Sequence, residues 1–347
     1  MRTFHPHWAK CSGYNQFIRY INKKEFTIID DVVPMGEDNF PFKHRRIIKI
    51  VNEFIKRNNF KVYALNDLMA ELKAFRHWLS GKIDLFHYLE GEHSLQYLPK
   101  ILNKIKSEKV KTPIVATFHQ PPDLLKKWVP MDIIRQLDHV IVLSPNQYDY
   151  LCRYLPAEKV SLVLHGVDTD YFCPKQNKIK GTFKCLIVGQ WLRDYPAVLE
   201  VAQRSLSYPE LEFHIVASGI HIPNQLTNVY LYKDISDDDL IDLYQNSDVL
   251  FLPLKDSTAN NVILESISCG LPVISSNLSG VRAYLSGEES ILIDKNSTEA
   301  FLDAIISLYK DPDICYKMGK AARKRSIELS WENVVPKLEE IYSSLIK

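Results

Sequence analysis

Short apolar runs rich in β-branched residues recur along this chain, separated by segments of helical periodicity. In the first half they span residues 60–65, 83–89, 113–119, 139–144 and 160–164; in the second, 185–189, 213–217, 229–232, 249–253, 272–275 and 291–293. A strand that is apolar throughout is buried on both faces, as in a parallel sheet covered by helices. The alternation therefore predicts an α/β chain of two successive doubly wound, Rossmann-like units. Length agrees, because one hydrophobic core rarely grows past about 300 residues and the chain has 347. The polar, Lys-rich stretch 173–182 reads as the linker. The expected domains are residues 1–173 and 181–330. Beyond them, Trp331, Val334, Val335, Leu338, Ile341, Tyr342 and Leu345 form the apolar stripe of a last helix over 331–347. It starts after the second sheet is complete, so its stripe needs a partner, for which the first domain is the candidate.

The 43 Lys and Arg nearly balance the 42 Asp and Glu, which argues against a general nucleic-acid binder. The balance hides an asymmetry. Residues 1–180 carry 28 basic and 19 acidic side chains, a net of +9, while residues 181–347 carry 15 and 23, a net of −8. The first half is thus expected to face something anionic. No run of about 18 apolar residues suggests a membrane span, and the first residues lack the apolar core of a signal peptide. Six cysteines lie far apart with no CxxC spacing, as expected of reduced thiols in a cytoplasmic protein rather than of a zinc site or a disulfide frame.

Open α/β sheets bind ligands outside the carboxyl ends of their strands, so the residues after each strand are the candidates. After the run 249–253 come Asp256, Ser257, Thr258, Asn260 and Asn261, crowding the start of a helix that Gly270 ends. Free N–H groups at such a start suit a phosphate; the same residue types also serve as plain caps. Glu265 sits on that helix in the apolar context VILESI. Alone and buried it would be costly, so it is either solvated or paired, for instance with two ribose hydroxyls.

The run from Asn261 to Ser275, NVILESISCGLPVIS, resembles the C-terminal signature of the GT-B retaining glycosyltransferases of family 4. The resemblance implies two Rossmann-like domains facing across a cleft, with a nucleotide sugar on the second and an acceptor on the first. It also implies retention at the anomeric carbon, no metal and no cofactor beyond the nucleotide-sugar co-substrate. Glu265 matches the family's second Glu, a ribose ligand. The first Glu falls at Ser257, where this chain departs, and DSTANN looks like a variant branch. Asp256, Thr258, Asn260, Asn261 and Val262 are then the implied donor-binding residues. The loop VGQWLRD resembles the family's diphosphate loop: Gly189 is kept, Gln190 replaces an Arg, the usual Lys is missing, and Arg193 inherits the role. Segment 165–172, HGVDTDYF, resembles the end of the family's first domain, and SWENVVPKLEEIY its last helix, which returns to that domain.

In the first domain Gly13 is a weak match to the family's Gly-Gly loop. His119 ends a strand and, by the resemblance, lies near the donor sugar. His87, Glu90 and His93, in FHYLEGEH, read as an acceptor-recognition loop rather than a metal site; a plain solvated loop is the alternative. The triplet Asp168-Thr-Asp170 reads as turn chemistry. Catalysis is expected from His119, Arg193 and Glu265, with domain closure excluding water.

Residues 42–59 read as a basic amphipathic helix, with Ile47, Ile48, Val51, Phe54 and Ile55 on one face and Arg45, Arg46, Lys49, Lys56 and Arg57 on the other. With a second basic tip at Trp128, it suggests peripheral docking on an anionic inner leaflet. The expected activity is sugar transfer to a glycan or lipid-linked acceptor in cell-surface polysaccharide or glycolipid synthesis. The alternatives are a sugar-nucleotide epimerase or phosphorylase of the same fold, or a non-catalytic relative.

Overall fold

The computed structural model describes residues 1–3, 11–33, 44–58, 63–105, 112–175 and 181–346. The chain divides into two compact units. The first comprises Met1–Trp8, Phe17–Leu164 and Val334–Lys347; the second comprises Ala9–Gln16 and His165–Asn333.

In the first unit, strands β1 (Arg2–Thr3) and β2 (Val32–Val33) form a parallel pair, and β3 (Phe86–Tyr88), β4 (Ile114–Phe118), β5 (His139–Val142) and β6 (Val160–Leu162) form a parallel sheet in that order. β4 and β5 are buried along their whole length, the polar Thr117 and His139 included, as mainly apolar strands of a parallel sheet are. The backbone N–H of Leu89 donates to the carbonyl of Met1 at 2.9 Å. The run 60–65 proves different: Leu65 opens a helix, Leu65–Leu79, and residues 60–62 lie outside those described. Its strand-like composition reflects the buried residues Tyr63 and Leu65 on either side of the helix start.

That helix carries Glu71, a buried carboxylate with five partners. Its Oε2 accepts from the Tyr63 hydroxyl at 2.6 Å and the Tyr97 N–H at 2.8 Å. Its Oε1 accepts from the Tyr88 hydroxyl at 3.2 Å and the N–H groups of Gln96 at 2.9 Å and Leu98 at 3.0 Å. Glu71 thereby supplies acceptors at the start of the helix Leu98–Ile105.

The basic helix forms over Arg45–Asn58. Only Ile48 and Ile55 of its expected apolar face are buried; Ile47 is 45% exposed and Phe54 and Ile50 are each 66% exposed. Trp128 is not an exposed tip, since its ring packs on the core of the first unit.

In the second unit six parallel strands run in the order β12-β11-β10-β7-β8-β9, with β7 at Phe183–Val188, β8 at Leu211–Val216, β9 at Val229–Tyr232, β10 at Val249–Leu252, β11 at Val273–Ser276 and β12 at Ser290–Ile293. The chain starts in the middle at β7, winds out through β8 and β9, then returns to β10 and winds the other way. The switch point is between β7 and β10, where a doubly wound sheet opens a crevice at its carboxyl ends. Among the described residues no helix is long and apolar enough to cross a membrane.

The helix Trp331–Ile346 is in place as its periodicity predicts. Trp331 is buried in the second unit, where its ring covers Gly166; a Cβ there would lie 2.4 Å from the indole. From Val334 the helix belongs to the first unit. There the Tyr342 hydroxyl meets His87 Nδ1 at 2.6 Å.

Candidate active site

The loops leaving β7 and β10 are joined backbone to backbone. Asp194 N–H donates to the Pro253 carbonyl and Lys255 N–H to the Leu192 carbonyl, each at 2.9 Å. Asn296 braces the junction, its amide donating to Asp194 Oδ2 at 2.8 Å and to the Leu254 carbonyl at 3.0 Å.

Within this frame Arg193 is aimed by carbonyls of its own loop. Nε donates to Val188 at 3.0 Å and Nη1 to Trp191 at 2.9 Å, while Nη2 lies 3.5 Å from Asn260 Oδ1. Gly189 has φ +84°, and a Cβ there would come within 3.1 Å of Nη2. The positive φ favours glycine at this turn, and a side chain there would also crowd the guanidinium. Burial lowers the Arg193 pKa to about 10, a value at which the side chain is still cationic at neutral pH.

Asn260 caps the helix Asn261–Ser268, its Oδ1 accepting the Val262 N–H at 3.1 Å. The Val262 N–H is therefore engaged by the cap. Asp256 turns back on its own loop, Oδ1 accepting the Ser257 N–H at 2.8 Å. Thr258 and Ser257 are buried, and Gly280 lies against them so closely that a Cβ there would be 2.1 Å from the Ser257 carbonyl.

Glu265 is buried on the same helix. One carboxylate oxygen accepts from Ser12 Oγ and the other from the Tyr244 hydroxyl at 2.8 Å. Burial raises its pKa to about 7, opposed by these two hydrogen bonds and by the charge of Arg193. Gly13, at φ +93°, lies beside Ser12 in this second-unit cluster. The structure thus gathers Gly13, Gly189, Arg193, Asn260 and Glu265 around the switch point. Ser12, Tyr244 and Asn296 join them without a signal in the sequence.

The first-unit candidates gather at the ends of β3 and β4. His87 is half-buried, with Nδ1 on Tyr342 and Nε2 on Thr117 Oγ1 at 2.8 Å, so both ring nitrogens are engaged by protein groups. Burial drives its pKa well down. Glu90 is buried and His93 half-buried in the turn after β3. His119 Nε2–H donates to the Leu89 carbonyl at 2.7 Å, which fixes the ring's tautomer. Glu92, buried to 1% exposure, accepts the N–H groups of His119 and Gln120 and holds the chain where β4 ends. Asp168 accepts the Tyr171 N–H at 3.0 Å, in keeping with turn chemistry. Among the described residues no cluster of three His, Cys, Asp or Glu could hold a metal ion.

Two parallel-sheet, Rossmann-like α/β units make up a GT-B fold, which solved structures share. Sucrose-phosphate synthase from Thermosynechococcus elongatus superposes with a TM-score of 0.64 over 90% of this chain and 83% of its own, at 18% identity. Anabaena HepE, solved with UDP, gives 0.64 over 80% and 83%, at 15% identity. Residues 16–171 match the family described as Glycosyltransferase Family 4, and residues 220–325 match Glycosyl transferases group 1. A D-inositol 3-phosphate glycosyltransferase of Corynebacterium urealyticum is 31% identical over 316 residues, 80% of this chain and 72% of the relative. The chain belongs to this family of group 1 glycosyltransferases.

Proposed function

We propose that the protein is a retaining, metal-independent hexosyltransferase that takes its sugar from a nucleoside-diphosphate sugar and passes it to a phosphate-bearing acceptor, glycan- or lipid-linked. One observation carries the donor half: a guanidinium, a capped helix start and a buried carboxylate are grouped at the carboxyl ends of β7 and β10, beside the switch point. Arg193 and the start of the helix Asn261–Ser268 suit the diphosphate, and Glu265 the ribose hydroxyls. Structures of Anabaena HepE with UDP and with UDP-glucose support such a donor. The acceptor half rests on the +9 excess of the first 180 residues and on the curated relatives, whose name specifies an inositol phosphate.

As the bond between the anomeric carbon and the diphosphate breaks, its electron pair leaves with the phosphate. Arg193 and the helix start stabilise that charge without reorganising. The acceptor hydroxyl attacks the same face, and its proton passes to the departing phosphate oxygen. Product analysis with a panel of nucleoside-diphosphate sugars, offered inositol phosphate and lipid-linked sugars, tests the reading. A new glycosidic product is expected. An epimerised nucleotide sugar, or binding without turnover, would replace the reading with one of its alternatives.

Arg193→Ala is expected to lower turnover by about 100-fold or more, the scale for losing one preorganised contact to developing negative charge. Steady-state rates with melting curves check it, because Arg193 also ties its own loop. Wild-type turnover would move the diphosphate elsewhere, to Lys255 first.

A location on an anionic membrane is the second part of the proposal. Ile47, Ile50 and Phe54 form an exposed apolar line on the helix Arg45–Asn58, flanked by the exposed Arg46 and Lys49. Each basic residue near an anionic surface contributes about 1 kcal/mol at low salt. Co-sedimentation should need anionic vesicles, fade with salt, and drop when Arg45, Arg46 and Lys49 become Ser together. Equal pelleting with neutral vesicles, or none with either, would leave an acceptor free in solution.

A further inference from the structure

Glu265 is 5% exposed, and both of its oxygens are already engaged in the ligand-free protein. The two partners differ in kind. Tyr244 is fully buried in the helix Asp237–Asn246, its ring set edge-on against Phe172. Ser12 is only half-buried and lies in an irregular loop, ahead of the short 3₁₀ helix Tyr14–Arg19. With this loop seated, the space bounded by Ser12, Gly13, His165, Phe172, Asn261 and Glu265 is about 10 Å³. That admits one water at most, so no ribose can reach the oxygen that Ser12 holds.

We propose that the Ser12 hydroxyl stands where a ribose hydroxyl meets Glu265, and that Tyr244 is the positioning residue that keeps the other oxygen in place. The inference rests on the reading of Glu265 as a ribose ligand. Serine and ribose offer the same group, an alcohol O–H. Exchanging one for the other leaves the buried carboxylate hydrogen-bonded before and after binding, and avoids the large penalty of a bare buried charge. The loop 11–13 must move for the exchange, and its Ser12–Glu265 bond competes with the nucleotide.

Opposite signs test this. UDP, GDP and ADP are titrated calorimetrically into the full chain, and the one bound most tightly is carried forward. Ser12→Ala should bind it about five- to tenfold more tightly, because a hydrogen bond to a charged acceptor no longer has to be broken. Tyr244→Phe should bind it about tenfold more weakly. Ser12→Thr, which keeps the hydroxyl, should return to the wild-type value. The 2′,3′-dideoxy form of the same nucleotide should lose the gain from Ser12→Ala. A purely structural role would weaken binding in both variants. Unchanged or weaker binding by Ser12→Ala, or unchanged binding by Tyr244→Phe, overturns the proposal while leaving the donor reading intact. Wild-type affinity in a folded Glu265→Ala variant, or no nucleotide bound by the wild type, overturns the donor reading itself.

Discussion

Glu71→Ala is expected to cost the first unit about 5 kcal/mol or more, enough to unfold it. The substitution strands five donors around a buried site: two tyrosine hydroxyls and three backbone N–H groups. Each buried donor left unsatisfied costs about 1–3 kcal/mol, against a typical domain stability of about 5–15 kcal/mol. Alanine also removes the acidic partner at the start of the helix Leu98–Ile105. Glu71→Gln keeps one strong acceptor oxygen and should lose about half as much. Urea unfolding followed by circular dichroism checks both. A two-state transition for Glu71→Ala at the wild-type midpoint would show that water replaces the carboxylate.

Glu265→Gln should act in the opposite direction on stability and still damage function. The Glu265 pKa rises from 4.5 to about 7 in the fold, chiefly through burial. Between those values the folded protein holds a proton that the unfolded chain has released, so stability falls as pH rises through this window. Above pH 7 the ionised carboxylate costs about 3 kcal/mol, at about 1.4 kcal/mol per pKa unit; below pH 4.5 the cost is absent. Arg193 in the loop after β7, Tyr171, Cys269, and Tyr244 and Asp237 in the neighbouring helix are the other ionisable groups that act on this carboxylate. Glutamine carries no charge and still accepts from Tyr244. The variant is expected to gain about 2 kcal/mol at pH 8 and nothing at pH 4.5, while nucleotide affinity falls. Urea titrations of both proteins across this pH range, read by tryptophan fluorescence, decide it. Parallel pH profiles would mean that the carboxylate is solvated in solution.

A residue kept at such a cost is better explained by binding than by folding, and the sequence already pointed to it. The context VILESI made Glu265 an oddity in an apolar helix, and the signature around it resembled a ribose site. The loop around Arg193 was equally legible, as the residues after an apolar strand. Tyr244 was not, since a tyrosine inside a helix 21 positions upstream of Glu265 has no local pattern that assigns it a partner. His87 shows the converse. Its neighbours Glu90, Glu92 and His93 suggested a ligand-binding loop, whereas its ring nitrogens meet Tyr342 and Thr117.

The sequence by itself determined the strand runs other than 60–65, most helix starts and stops, the division into two α/β units and the family. These depend on residues a few positions apart: a continuous apolar run buries a strand on both faces, a capping Asn260 opens a helix, and Gly270 ends one at φ +76°. Only the tertiary structure decided which polar groups meet. Ser12 and Glu265 are 253 residues apart, and His87 and Tyr342 are 255 apart. Such pairs follow from chain closure and from the need to satisfy every buried polar atom, a condition that many sequence-distant partners can meet. The same closure left Ile47 and Phe54 exposed although their spacing belongs to an apolar face. Periodicity states that a face is apolar; what covers it depends on the elements that pack alongside.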